Sequence, residues 1–110
     1  MHIEVLKLLF QDSRVDPSAN ANWAIRLAST YGYVDLVELL LQDSRVDPSA
    51  RNNFAIRLAC ENGHAKVVKL LLQDTRVDPS ARRNEALRLA TKNGHADVVR
   101  LLQGHASGLS

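Results

Sequence analysis

The string Gln11-Asp12-Ser13-Arg14-Val15-Asp16-Pro17-Ser18-Ala19 returns at residues 42–50 and again, with Thr75 in place of Ser, at residues 73–81. The spacing is 31 residues each time, and about two-thirds of positions 34–64 are identical in 65–95. A fixed period of this length marks a repeat architecture, in which each unit is one supersecondary motif that cannot bury its apolar side alone. Neighbouring units cover one another, so the expected product is a one-dimensional stack. No linker or low-complexity stretch interrupts the period, and the 110 residues read as one domain. Its parts are a terminal helix at 2–10, units at 11–41, 42–72 and 73–103, and a loose tail at 104–110.

Each unit carries two helical patterns. The first runs Trp23-Ala24-Ile25-Arg26-Leu27-Ala28 and recurs at 54–59 and 85–90, with the apolar positions on one helical face. Asn22, Asn53 and Asn84 stand just before it and read as N-caps. Gly32, Gly63 and Gly94 follow its end, where glycine permits the left-handed conformation that closes a helix. The second pattern is Asp35-Leu36-Val37-Glu38-Leu39-Leu40-Leu41, matched at 66–72, at 97–103 and one unit earlier at 3–10. Between second and first patterns lies an Asp-Pro-Ser-Ala segment. Its proline lacks an N–H and fixes φ, which stops any helix there. The expectation is an all-α solenoid of seven helices. Aromatic residues make up only 5% of the chain, so its core must be aliphatic.

The residues Asn62-Gly63-His64 and Asn93-Gly94-His95, with the following Val67-Val68-Lys69-Leu70-Leu71-Leu72, resemble the Gly-His turn and second helix of the ankyrin repeat family. Phe54-Ala55-Ile56-Arg57-Leu58-Ala59 falls where that family carries Thr-Pro-Leu-His-x-Ala, and Val46-Asp47-Pro48-Ser49-Ala50 resembles its Ala-Asp-Val-Asn-Ala. The likeness covers residues 2 to about 104. It departs in two respects: Arg26, Arg57 and Arg88 replace the histidine of the signature, and the period is 31 rather than 33. The resemblance implies a helical stack with shortened loop fingers. It also implies a concave binding face along the loop tips and the exposed side of the first helices.

Positions that change from unit to unit are free to carry specificity, and they fall in three groups. The loop pairs are Asn20-Ala21, Arg51-Asn52 and Arg82-Arg83. The first-helix starts are Trp23, Phe54 and Glu85. The first-helix ends are Thr30-Tyr31, Glu61-Asn62 and Lys92-Asn93. By the resemblance, all three groups line the binding face and contact another protein. Aromatic residues are enriched among interface hot spots, which singles out Trp23 and Phe54; the competing reading is that they pack the loop onto the helix. Tyr31 and Tyr33 would extend an aromatic patch, or reflect drift in the first unit. The sharp repetition between units also permits an alternative, an engineered or structural stack that has no natural ligand, or a fragment of a longer array.

Arg26, Arg57 and Arg88 recur in step with Asp16, Asp47 and Asp78, which suggests a ladder of Arg–Asp contacts tying helix to turn. His64 and His95 are expected to be structural. Two histidines a unit apart are too few to hold a metal, and neither a cofactor nor a catalytic set is expected. Cys60 is the one cysteine and excludes an intramolecular disulfide. Lys and Arg exceed Asp and Glu by only two, with signs interspersed, which argues against nucleic acid as a partner. Apolar runs are too short to span a membrane, and no leader precedes the first helix, so a cytoplasmic protein is expected. Gln103 replaces the apolar residue of Phe10, Leu41 and Leu72, as a stack end requires. Ile3, Val5, Leu6, Leu9 and Phe10 lack a preceding first helix, which favours end-on self-association through the N-terminal helix.

Overall fold

The structure is a computed structural model that describes residues 3–12 and 14–108, the side chain of Ile3 excepted. Among these residues the chain forms seven helices and no strand: α1 (Ile3–Gln11), α2 (Ala19–Tyr31), α3 (Val34–Leu41), α4 (Ala50–Glu61), α5 (Ala65–Leu72), α6 (Ala81–Lys92) and α7 (Ala96–Ala106). The first-type helices α2, α4 and α6 pack in succession, and the second-type helices α1, α3, α5 and α7 form a parallel row beside them. The result is elongated, 39 × 25 × 23 Å. His2 and the last two tail residues lie outside the described residues.

The core follows the two apolar stripes. Ile25 and Ile56 of the first helices meet Leu36, Leu40, Val67, Leu71 and Val98 of the second, and all are buried. Small residues let the first helices approach closely: Ala24, Ala28, Ala55, Ala59, Ala86 and Ala90 are buried as well. Branched and small aliphatic side chains make up most of the interior, at roughly 25 cal/mol of stabilisation per Å² of apolar surface removed from water. The tail expected to be loose is helical as far as Ala106, because Gly104 and His105 continue α7 with no proline to stop it.

The linkers are built from local side-chain bonds. Asp16 Oδ1 accepts the Ser18 N–H at 2.9 Å and the Ser18 hydroxyl at 2.6 Å, and Asp47–Ser49 and Asp78–Ser80 repeat this across their prolines. Three residues before each of these turns' valines, Asp12, Asp43 and Asp74 grip Arg14, Arg45 and Arg76 in a forked ion pair. The Arg45 guanidinium holds the Asp43 carboxyl at about 2, well below 3.8. Arg14 and Arg76 lower Asp12 and Asp74 in the same way.

Candidate binding face

The first-type helices do not begin as their sequence suggests. Residues 20–22, 51–53 and 82–84 each form a single left-handed turn, with φ between 54° and 61° and ψ between 37° and 53°. L-residues adopt this conformation at a cost of roughly 1–2 kcal/mol each, least for Asn. Asn22, Asn53 and Asn84 therefore do not cap the helix that follows. Instead, the Asn22 side-chain oxygen accepts the N–H of Asp47 at 2.7 Å, and Asn53 does the same for Asp78 at 2.8 Å. The third residue of each of these two turns is thus a clip to the following unit.

The recurring arginines hold these turns closed. Arg26 donates from Nε to Ala21 O and from Nη2 to Asn20 O, both at 2.9 Å. Arg57 binds Asn52 O and Arg51 O at 3.0 and 3.1 Å, and Arg88 binds Arg83 O and Arg82 O at 3.1 Å. A left-handed turn directs its carbonyls away from any right-handed helical partner, and the planar fork of one guanidinium satisfies two of them. The expected Arg–Asp ladder does not form. Asp16 and Asp78 are engaged by Ser18 and Ser80, whose hydroxyl and N–H groups lower both carboxyls.

The far ends of the first helices are closed by the next unit. His64 Nε2 donates to Thr30 O at 3.0 Å and Asn62 Nδ2 donates to the same carbonyl at 2.9 Å. His95 and Asn93 repeat this on Glu61 O. Since a carbonyl only accepts, each histidine carries its proton on Nε2. The last-turn carbonyls of a helix lack intrahelical partners, and these side chains supply them. The ring of His64 lies over Gly32 and that of His95 over Gly63. Tyr33, at the equivalent position of the first unit, stacks on Tyr31 with ring centroids 6.0 Å apart. Asn62 and Asn93 therefore tie each unit to the one before it, although they fall among the first-helix ends that vary between units.

The candidate contact residues separate into two sets. Phe54 is half-buried, with the Arg26 guanidinium 5.4 Å and the Arg57 guanidinium 5.6 Å from its ring centroid. Glu85, one unit on, takes the same place: its carboxylate lies 3.5 Å from Arg57 Nη1 and 3.0 Å from Arg82 Nε. Both side chains face the arginine of the preceding unit, one through its π face and one through its charge. Trp23 has no such neighbour among the described residues and is 42% exposed. Tyr31 is 58% exposed. Asn20, Ala21, Arg51, Asn52, Arg82, Arg83 and Lys92 are exposed, while Thr30 and Glu61 are half-buried. Thr30 donates its hydroxyl to Arg26 O within its own helix.

Among the described residues no group of three or more His, Cys, Asp or Glu side chains converges on a point. Cys60 is buried, which pushes its thiol up to about 12. No helix among these residues is long and apolar enough to cross a membrane.

Paired helices stacked along one axis, each unit bonded to the next through the same side chains, define an all-α repeat solenoid. The model of ankyrin repeats matches residues 23–108 in three copies, and the chain belongs to that family. Ankyrin repeats are generally protein–protein interaction modules and typically non-enzymatic. A comparison with curated proteins gives no match.

Proposed function

We propose that this chain binds another protein along the left-handed turn tips and the exposed side of α2, α4 and α6. One observation carries the reading. On the first-helix side the recurring arginines, asparagines and histidines are engaged in the stack, while exposed residues that differ between units stand beside them: Asn20, Ala21, Trp23 and Tyr31 in the first unit, Arg51 and Asn52 in the second, Arg82, Arg83 and Lys92 in the third. Rigid turns with interchangeable side chains suit recognition, because little conformational freedom remains to be lost on binding. Phe54 and Glu85 belong to the frame of this strip, and Trp23 and Tyr31 are its exposed aromatic anchors.

A photo-crosslinking side chain at position 52, on the strip, and another at position 66, on the second-helix row, distinguish the faces in a native lysate. Capture at 52 and none at 66 is the expected result, and W23A/Y31A should weaken it. Capture at 66 alone would refute the assignment of the face. Capture at neither would favour a purely structural stack. A second association rests on α1, where Val5 and Leu8 are 62% and 67% exposed. End-on pairing of two copies through this helix would appear in light scattering as a concentration-dependent mass, abolished by L8E.

A further inference from the structure

We propose that the exposed side of α6 binds an acidic peptide segment of the partner, with Arg88 as its anchoring guanidinium; this rests on the binding-face reading above and adds the chemistry of what is bound. Charge is the first support. The three first-type helices hold seven of the fourteen Lys and Arg residues but only two of the twelve Asp and Glu, Glu61 and Glu85. They therefore carry a net +5 while the remainder of the chain carries −3. The surplus is greatest on α6, where Arg82, Arg83, Arg88 and Lys92 face a single acid, and Glu85 is already engaged by Arg57 and Arg82. Arg83 and Lys92 are exposed and form no ion pair among the described residues. The bulk composition conceals this surplus, because the three linkers, each with two Asp and one Arg, carry the offsetting charge while the second-helix row sums to zero.

The second support is a template inside the molecule. Each recurring arginine is held rigid by two carbonyls of its own turn and offers its outer edge to the next unit. Arg26 receives an aromatic ring there, and Arg57 receives a carboxylate. Arg88 is held in the same way, by Arg82 O and Arg83 O, and its outer edge is exposed. A fixed guanidinium needs little reorganisation to accept a carboxylate. Glu85 on Arg57 thus shows the contact that a glutamate of the partner would make on Arg88, with Arg83 and Lys92 meeting acidic neighbours on either side. The second-helix row as a whole carries no net charge, so it offers the same peptide no comparable surplus, which gives the segment one face to choose.

The test is fluorescence anisotropy with three labelled probes: a peptide of alternating Glu and Ser, its Gln counterpart, and a single-stranded oligonucleotide of equal charge. The proteins are the unaltered chain, R83E/K92E, and K66E/K69E as a reversal of equal size on α5, each shown to be folded by circular dichroism. The expected result is binding of the Glu peptide over the Gln peptide, weakened about tenfold or more in R83E/K92E and held within a few-fold in K66E/K69E. Equal loss in both variants would reduce the effect to overall charge and overturn the site. Tighter binding of the oligonucleotide would overturn a peptide as the occupant, and no preference for Glu over Gln would overturn the acidic class. In either case capture at position 52 would still stand or fall separately, since it depends on the face and not on its charge.

Discussion

Two glycines in identical backbone conformation separate the strain of a turn from the contact between units. Gly63 and Gly94 have φ of 74° and 75°. Alanine at either position incurs the left-handed penalty of about 1–2 kcal/mol, partly offset by a more restricted unfolded chain, and both effects are the same at the two sites. The surroundings differ. A Cβ on Gly63 would stand 2.6 Å from His95 Nδ1 and 2.7 Å from its Cε1, whereas one on Gly94 meets nothing within 4 Å. Ordinary contact begins near 3.4 Å, so the ring must shift by most of an ångström. That displaces Nε2 from its 3.0 Å bond to Glu61 O and leaves a helix-end carbonyl short of a donor. Loss of such a bond costs about 1–3 kcal/mol. Gly94→Ala should therefore destabilise by about 1–2 kcal/mol and Gly63→Ala by about 2–5 kcal/mol. Urea unfolding followed by helical circular dichroism resolves this as a difference in midpoint on the order of 1 M. Gly63→Ala combined with His95→Ala should recover part of the loss, giving a positive coupling in the double-mutant cycle. Equal midpoints for the two glycine variants, or strict additivity in the cycle, would refute the account of His95 as a bridge between units.

Three further outcomes follow from the same contacts. Arg57→Met should cost about 2–4 kcal/mol, because it strands two turn carbonyls and removes one partner of Glu85; Arg88→Met, at an exposed position that pairs with no acid among the described residues, should cost clearly less in thermal unfolding, and equal losses would contradict the inter-unit role. Ser29 buries a hydroxyl with no hydrogen-bond partner among the described residues, at the position Cys60 holds a unit later, so Ser29→Ala should leave stability unchanged or raise it by up to about 1 kcal/mol, and a loss beyond that would expose a missing partner. Asp12, Asp16, Asp43, Asp74 and Asp78 titrate below the usual aspartate value of 3.8 in the folded chain. Folded carboxyls with depressed values contribute stability above the unfolded value and lose it as pH falls through the folded one. The urea midpoint should therefore hold steady down to about pH 4 and fall towards pH 2, the range spanned by Asp43, and a midpoint that drops between pH 7 and 5 would contradict this.

The helical stack was legible because hydrophobic period is a direct image of which side of a helix is covered. Ile25 and Ile56, Leu36 and Val67, and the glycines closing the first helices all lie where their spacing placed them. The left-handed turns were not legible. Asn is favoured both as a helix N-cap and in left-handed backbone, so Asn22, Asn53 and Asn84 gave the same signal for two geometries. The arginine was misassigned for a related reason. Charge complementarity with Asp16, Asp47 and Asp78 is visible in a sequence, whereas carbonyls five and six residues back become acceptors only after the turn has formed. The pairing of Asn at the third turn position with Arg four residues later, in every unit, was the available sign. For the candidate face, exposure divided a set that variability had joined: Trp23 and Tyr31 stand open, while Phe54 and Glu85 are taken up by arginines.

The histidine bridges run in one direction. Unit by unit, the donors that finish a first helix are encoded in the unit after it, His64 and Asn62 for Thr30, His95 and Asn93 for Glu61. On a ribosome, a unit leaving the exit tunnel thus waits for 34 further residues before its helix end is fully sealed, roughly 2–7 s at ordinary rates of synthesis. Assembly of the stack trails translation by one repeat, and a pause in elongation there would leave the newest helix unsealed for its duration.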